Sequence, residues 1–311
     1  MTEGGVHLLE TDQVHCYDEQ GQPIACEGTG QDASYAKTAP MQGVERFRVQ
    51  AGVVRDTLTR AVWSKDANIA EFPLSWDEAR QWVAEMQSEQ AHGYATWQLP
   101  SRRLLFSLIS HQRINPSLPS NHPFDNVFTG YYWSADTCRR LPNQAWYVHL
   151  GGGRVHRGMK HGSYLVWPVS TGHPSDAADR MPGGRLDGGM EGVHDRHTGL
   201  TWSKNADPVG HPLSWPEALS AVQAFNRHGL ADHHDWRLPN IRELESLVDL
   251  DSHSPALPAG HAFVNVRDAY WSSTTSVYEP RYAWTLYTRD GMVGVGFKPG
   301  INFYLWPVRN G

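Results

Sequence analysis

Four short stretches carry side chains able to do chemistry. Asp232, His233, His234 and Asp235 run consecutively and offer two imidazoles and two carboxylates, donor types that suit zinc or nickel. Consecutive residues rarely converge on one ion, and the 17 histidines scatter without zinc-motif spacing, so no metal or cofactor is expected. Tyr278, Glu279, Arg281 and Tyr282 crowd one segment, and Arg139, Arg140 and Asn143 crowd another. Stacking rings and planar hydrogen-bonding groups on an irregular surface suit a glycan or a protein partner, while an ordinary solvated loop is the plainer alternative. Cys16 and Cys26 flank YDEQGQPIA, whose Gly21 and Pro23 favour a chain reversal that would bring the sulfurs together as a disulfide. Two reduced thiols on a hairpin are the other reading, and Cys138 is left over. No Ser-His-Asp order, phosphate loop or catalytic carboxylate pair emerges, so an enzyme is not expected.

The elements that must hold these groups are written twice. VWSKDAN at 62–68 returns as TWSKNAD at 201–207, an offset of 139 residues, and TWQLPSRRLL at 96–105 returns as DWRLPNIREL at 235–244. The match keeps its order to the end of each copy, as a duplicated domain requires, and the period is too long for a solenoid repeat. The chain divides on this reading into a leader at 1–50, a first copy at 51–170, a Gly/Pro-rich linker at 171–191 and a second copy at 192–311.

Within a copy, SWDEARQWVAEMQ at 75–87 sets Trp76, Ala79, Trp82, Val83 and Met86 at helical spacing behind a Ser75/Glu78 capping box. SWPEALSAVQAFNRHG at 214–229 repeats the plan with Ser214, Glu217, Pro216 in the first turn and Gly229 at the end. A short second helix follows Pro100 and Pro239. After it, YYWSA and AYWSST, then AWYVHLGGGRVHRG and AWTLYTRDGMVGVG, then YLVWPVS and YLWPVRN read as antiparallel strands closing each copy. Trp146, Val148 and Leu150 point inward, and Tyr147 and His149 outward. The tryptophans that recur in register, Trp97 with Trp236, Trp133 with Trp271 and Trp146 with Trp284, read as scaffold. Arg237 and Glu243 read as an ion pair beside a helix start, because the first copy replaces both together, by Gln98 and Leu104. Paired loss is expected where a buried charge stripped of its partner costs about 3–5 kcal/mol.

A net charge of -6 provides no basic footprint for nucleic acid or an anionic membrane. No apolar run is long enough to span a bilayer, and MTEGGVHLLE lacks the basic-then-apolar plan of a signal peptide. A disulfide would favour an oxidising compartment, periplasmic, cell-surface or secreted, with the cytoplasm as the alternative.

Asp195, Thr198, Gly199, Leu200 and Trp202, then Trp236 to Pro239 with Glu243 and Leu244, then Tyr270 to Ser273, Ala283, Trp284 and the closing Pro307, Val308 and Arg309 resemble the Lcl C-terminal domain family of bacteria. The resemblance covers both copies, and CYDEQGQPIACEGTGQD is similar to a segment that often precedes the domain. It implies an α+β protein of two tandem C-type-lectin-like domains, each with two helices and an antiparallel terminal sheet, serving as a noncatalytic adhesion module for glycan or glycoprotein. The first copy departs from the pattern at Arg60, Ala61, Gln98 and Leu104 and looks degenerate; the second ends Trp306-Pro307 where the family usually places Arg and Cys. Calcium-dependent lectins resemble a Glu-Pro-Asn loop that Leu141-Pro142-Asn143 and Glu279-Pro280-Arg281 do not complete, so a calcium-bridged sugar is not expected. A structural or protein-interaction module is the alternative function. A relic of a formylglycine-generating enzyme, disfavoured by the solitary Cys138, comes third.

Overall fold

A computed structural model describes residues 10–35, 45–171, 184–189 and 192–311, so most of the linker and parts of the leader lie outside the described residues. Two compact units result: one joins residues 1–36 to 178–311, and the other spans 37–177.

The leader holds a minimal hairpin, β1 (Cys16–Tyr17) and β2 (Pro23–Ile24), closed by a disulfide from Cys16 on β1 to Cys26 just beyond β2, with the Cα atoms 5.2 Å apart. The turn between them runs through Gly21 at φ +82, a conformation that favours glycine.

The first copy begins with β3 (Phe47–Gln50), β4 (Val53–Asp56) and β5 (Val62–Ser64). Helix α1 (Trp76–Ser88) follows, then β6 (Trp97–Gln98) and the short α2 (Arg102–Ser107). The strands β7 (Tyr131–Thr137), β8 (Gln144–His149) and β9 (Val155–Met159) form an antiparallel meander. The last strand, β10 (Val169–Ser170), does not extend that meander: it returns to lie between β5 and β6, closing a sheet of order β3-β4-β5-β10-β6. The closing strand therefore lies in a different sheet from the meander, not in one terminal sheet with it.

The second copy repeats the order with β11 (Leu186–Gly188), β12 (Val193–Asp195), β13 (Leu200–Trp202), α3 (Trp215–His228) and α4 (Ile241–Ser246). The meander β14 (Tyr270–Thr275), β15 (Tyr282–Tyr287) and β16 (Met292–Phe297) follows, and β17 (Val308–Asn310) returns to β13.

The helices form where the sequence pattern puts them because cap and apolar stripe agree. Glu78 accepts from the backbone N–H of Ser75 at 2.9 Å, and Glu217 from that of Ser214 at 2.8 Å, satisfying amides that the first turn leaves unpaired. Gly229, at φ +74, ends α3 in the left-handed conformation. Trp76, Ala79, Val83 and Met86 bury one face of α1 against Trp97, Trp133 and Ala145; Trp215, Ala218, Leu219 and Val222 do the same for α3 against Trp236, Trp271 and Ala283.

Two boundaries differ from the repeat-based division. Arg46 pairs with the buried Asp56 at 2.9 Å, and Arg185 with the buried Asp195 at 2.7 Å, the same ion pair in both copies. By the repeat alone Arg46 falls in the leader and Arg185 in the linker, yet each immediately precedes the first hairpin strand of its copy. The intervening residues RVQAGVV and LDGGMEGV share too little to reveal the match. Residues 10–35, meanwhile, belong with the second copy.

Candidate binding surfaces

The loop of the second copy from Ser276 to Tyr282 is held on three sides. Arg281 donates to both oxygens of Glu279, at 3.0 and 3.1 Å, and that contact holds the Glu279 carboxyl below its ordinary range. The Arg281 carbonyl accepts from Lys298 N at 2.9 Å, and the Tyr282 ring lies 5.4 Å from that of Phe297. A Cβ on Gly21 would come within 3.1 Å of Arg281 N, so the leader's turn packs directly on this loop. Tyr278 is left 59% exposed. In the first copy Arg139, Arg140 and Asn143 are exposed, and the Asn143 carbonyl accepts from Lys160 N at 2.9 Å. Cys138 beside them is buried, as is its counterpart Ser276, which takes the thiol out of reach of a substrate.

The run Asp232 to Asp235 is occupied otherwise. His234 Nδ1 lies 2.5 Å from the Asn226 carbonyl, His233 meets Arg309 at 3.2 Å, and Asp235 pairs with Arg309 at 3.4 Å. Among the described residues no three His, Cys, Asp or Glu side chains gather as a metal set.

Arg237 donates to Glu243 through both terminal nitrogens at 2.6 Å, with the two side chains 13% and 6% exposed. Glu243 also accepts from Asn240 N at 2.8 Å, while Asn240 accepts from Glu243 N at 2.9 Å, so one carboxylate serves the ion pair and the cap of α4. In the first copy Ser101 and Asp136 accept from the first-turn amides of α2, and Gln98 donates to Thr171. Trp97, Trp236, Trp133, Trp271, Trp146 and Trp284 are all buried.

The residues that pattern reading passed over lie on the other face of the first copy's meander. Tyr147 and His149 do point away from Trp146 and Val148, but not into open water: Tyr147 packs against the layer formed by Trp133 and Tyr164. Around it the rings of Tyr131 and Tyr147 are 4.9 Å apart, Tyr131 and His149 4.7 Å, Tyr131 and Tyr164 5.4 Å, and Tyr147 and His156 5.9 Å. Tyr131 is 44% exposed and His156 is exposed, while the other three are half-buried. Gly158 makes the arrangement possible, since a Cβ there would meet the Tyr164 ring at 2.7 Å.

Burial, and then the neighbouring Tyr164 and Tyr131, push the Tyr147 phenol up to about 12. Burial lowers His149, with a backbone bond to Thr129 opposing and Arg154 adding to the shift. The cluster is thus a platform of aromatic rings edged by hydroxyl and imidazole groups. The second copy has Ala269, Thr285, Tyr287, Gly294 and Phe303 at these positions, and buries most of them. The signal available beforehand was the alternation on β7 to β9, which sets Tyr131, Tyr147 and His149 on one side.

A family model, the Lcl C-terminal domain, matches residues 52–170 and again 191–309. The chain belongs to the Lcl C-terminal domain family. It carries two tandem copies of that domain, and the first of them bears the tyrosine platform. No curated protein matches the chain. No helix among the described residues is long and apolar enough to cross a membrane.

Proposed function

We propose that this Lcl C-terminal domain protein is a noncatalytic binding module that recognises glycan or glycoprotein outside the cytoplasm, each copy being a C-type-lectin-like domain. One observation carries the reading: the partly exposed Tyr131, Tyr147 and Tyr164 rings, flanked by His149 and His156, form an aromatic, amphipathic face. Sugar rings present apolar C–H faces bordered by hydroxyls, and rigid tyrosines contact such surfaces at low entropic cost while their hydroxyls bond the rim. The Ser276 to Tyr282 loop supports it less, because Glu279 and Arg281 neutralise each other and the leader packs behind them. The disulfide in the leader supports an oxidising compartment.

A glycan array probed with the wild-type chain, Tyr131→Ala and Tyr282→Ala tests this. Binding that falls about tenfold in Tyr131→Ala supports the reading, in line with roughly 0.5–1.5 kcal/mol for a ring contact beyond its buried area. An array that stays silent, or signals that neither variant changes, refutes it.

A further inference from the structure

Both copies build the same cradle, and among the described residues the leader covers that of the second copy. In the second copy Trp215 N donates to the Lys298 carbonyl at 2.9 Å, Trp215 Nε1 to the Ser272 carbonyl at 2.7 Å, and Lys298 N to the Arg281 carbonyl at 2.9 Å. The first copy repeats all three, with Trp76 N to Lys160 at 2.9 Å, Trp76 Nε1 to Ser134 at 2.8 Å and Lys160 N to Asn143 at 2.9 Å. Each ammonium lies over its tryptophan ring, Lys298 at 4.1 Å and Lys160 at 4.2 Å from the centroid.

What differs is the acceptor. Lys298 is fully buried and donates to the successive carbonyls of Tyr17 and Asp18, at 3.0 and 3.1 Å, in the leader's acidic turn. Lys160 is half-exposed, and no described residue accepts from its ammonium. The surroundings have changed charge as well. Arg80, Arg139 and Arg140 stand where the second copy has Leu219, Val277 and Tyr278, set against Asp77 for Pro216 and Asp136 for Thr274. The Arg80 guanidinium lies 4.8 Å from the Trp76 centroid, on the same ring that Lys160 covers.

We infer that the Trp76–Lys160–Arg80 cradle of the first copy is a docking site for an acidic, turn-forming peptide segment of a partner protein, bound as the leader's turn is bound on the second copy. Lys160 takes two successive backbone carbonyls of the turn, and Arg80 pairs with a carboxylate beside them. A whole leader from another molecule does not fit. Leader Asp32 accepts from Thr274 Oγ1 at 2.7 Å in the second copy, and the first copy would set the Asp136 carboxylate against it. The inference does not depend on the glycan reading.

The probe is the oxidised cyclic peptide of residues 16–26, CYDEQGQPIAC, titrated into the full-length chain and followed by NMR at the indole and backbone amides. Saturable shifts are expected at the Trp76 indole and the Lys160 amide, with affinity at least tenfold weaker in Lys160→Ala and about fivefold weaker in Arg80→Leu. A peptide carrying Asp18→Asn and Glu19→Gln should bind several-fold more weakly, and Tyr131→Ala should leave the titration unchanged. Absence of saturable shifts overturns the inference, as do shifts that persist in Lys160→Ala. Shifts confined to Trp215 and Lys298 overturn it too, since they report exchange with the resident leader.

Discussion

Arg237 and Glu243 show how far a residue can be read from a repeat. Their joint replacement by Gln98 and Leu104 points to a pair, and the two side chains meet in a bidentate contact at 2.6 Å. Sequence does not show that Glu243 also caps α4, nor that leader Tyr35 lies 5.9 Å from the Arg237 guanidinium. Arg237→Gln alone should therefore destabilise the second unit by about 3 kcal/mol, since it leaves a nearly buried carboxylate without its cation. Arg237→Gln with Glu243→Leu should cost less than the sum of the single changes, a coupling that denaturant melts of the four-member cycle will measure. Asp32 makes a second residue-level case. Burial raises its carboxyl to about 6, with the hydroxyls of Thr11 and Thr274 opposing and the Glu243 charge adding. The folded state thus prefers the protonated acid. Its contribution is complete below the unfolded value of 3.8 and is lost as pH rises through about 6, a change on the order of 3 kcal/mol. Asp32→Asn should remove that slope, so hydrogen exchange of the leader should be slower than wild type at pH 8 and nearly equal at pH 4.

Among the elements, the two long helices α1 and α3 were the most legible because cap and apolar stripe agree at each, and Gly229 ends the second. The returning strands β10 and β17 were the least, since two or three residues beside a proline carry no period that names a partner sheet. The leader is an element of a different kind, with a hairpin too short to hold itself in water. Its closure over 10 residues by Cys16 and Cys26 restricts the unfolded segment by about 3 kcal/mol in a chain-entropy account. Gln13 then bonds both backbone groups of Thr275, donating at 2.8 Å and accepting at 2.9 Å. Cys16→Ser with Cys26→Ser should loosen this docking. Tyr17 and Gln31 amides would exchange faster by more than tenfold, while α1 amides in the other unit keep wild-type rates.

At the scale of the whole molecule, the duplication gives two units that are not equally self-sufficient. The first copy completes its core from residues within 45–171. The second leans on residues 10–35, which cover Lys298 and contact Leu219 and Gln223 on α3. A fragment of residues 37–177 should accordingly fold with a cooperative melt. A fragment of 184–311 should melt lower than the same residues joined to 1–36, because it exposes apolar surface and strips a buried ammonium of its carbonyls. Equal melting of the two second-copy fragments would show that the leader adds nothing.

The sequence by itself determined the duplication, the helices and their caps, the tryptophan scaffold and the family, because each is recorded in local spacing or in a phrase written twice. Tertiary structure alone decided which copy the leader covers, where the closing strands pair, and that Tyr164 joins Tyr131 and Tyr147 on one face. Those facts depend on contacts between residues up to about 280 positions apart, where no local period survives to mark the partner.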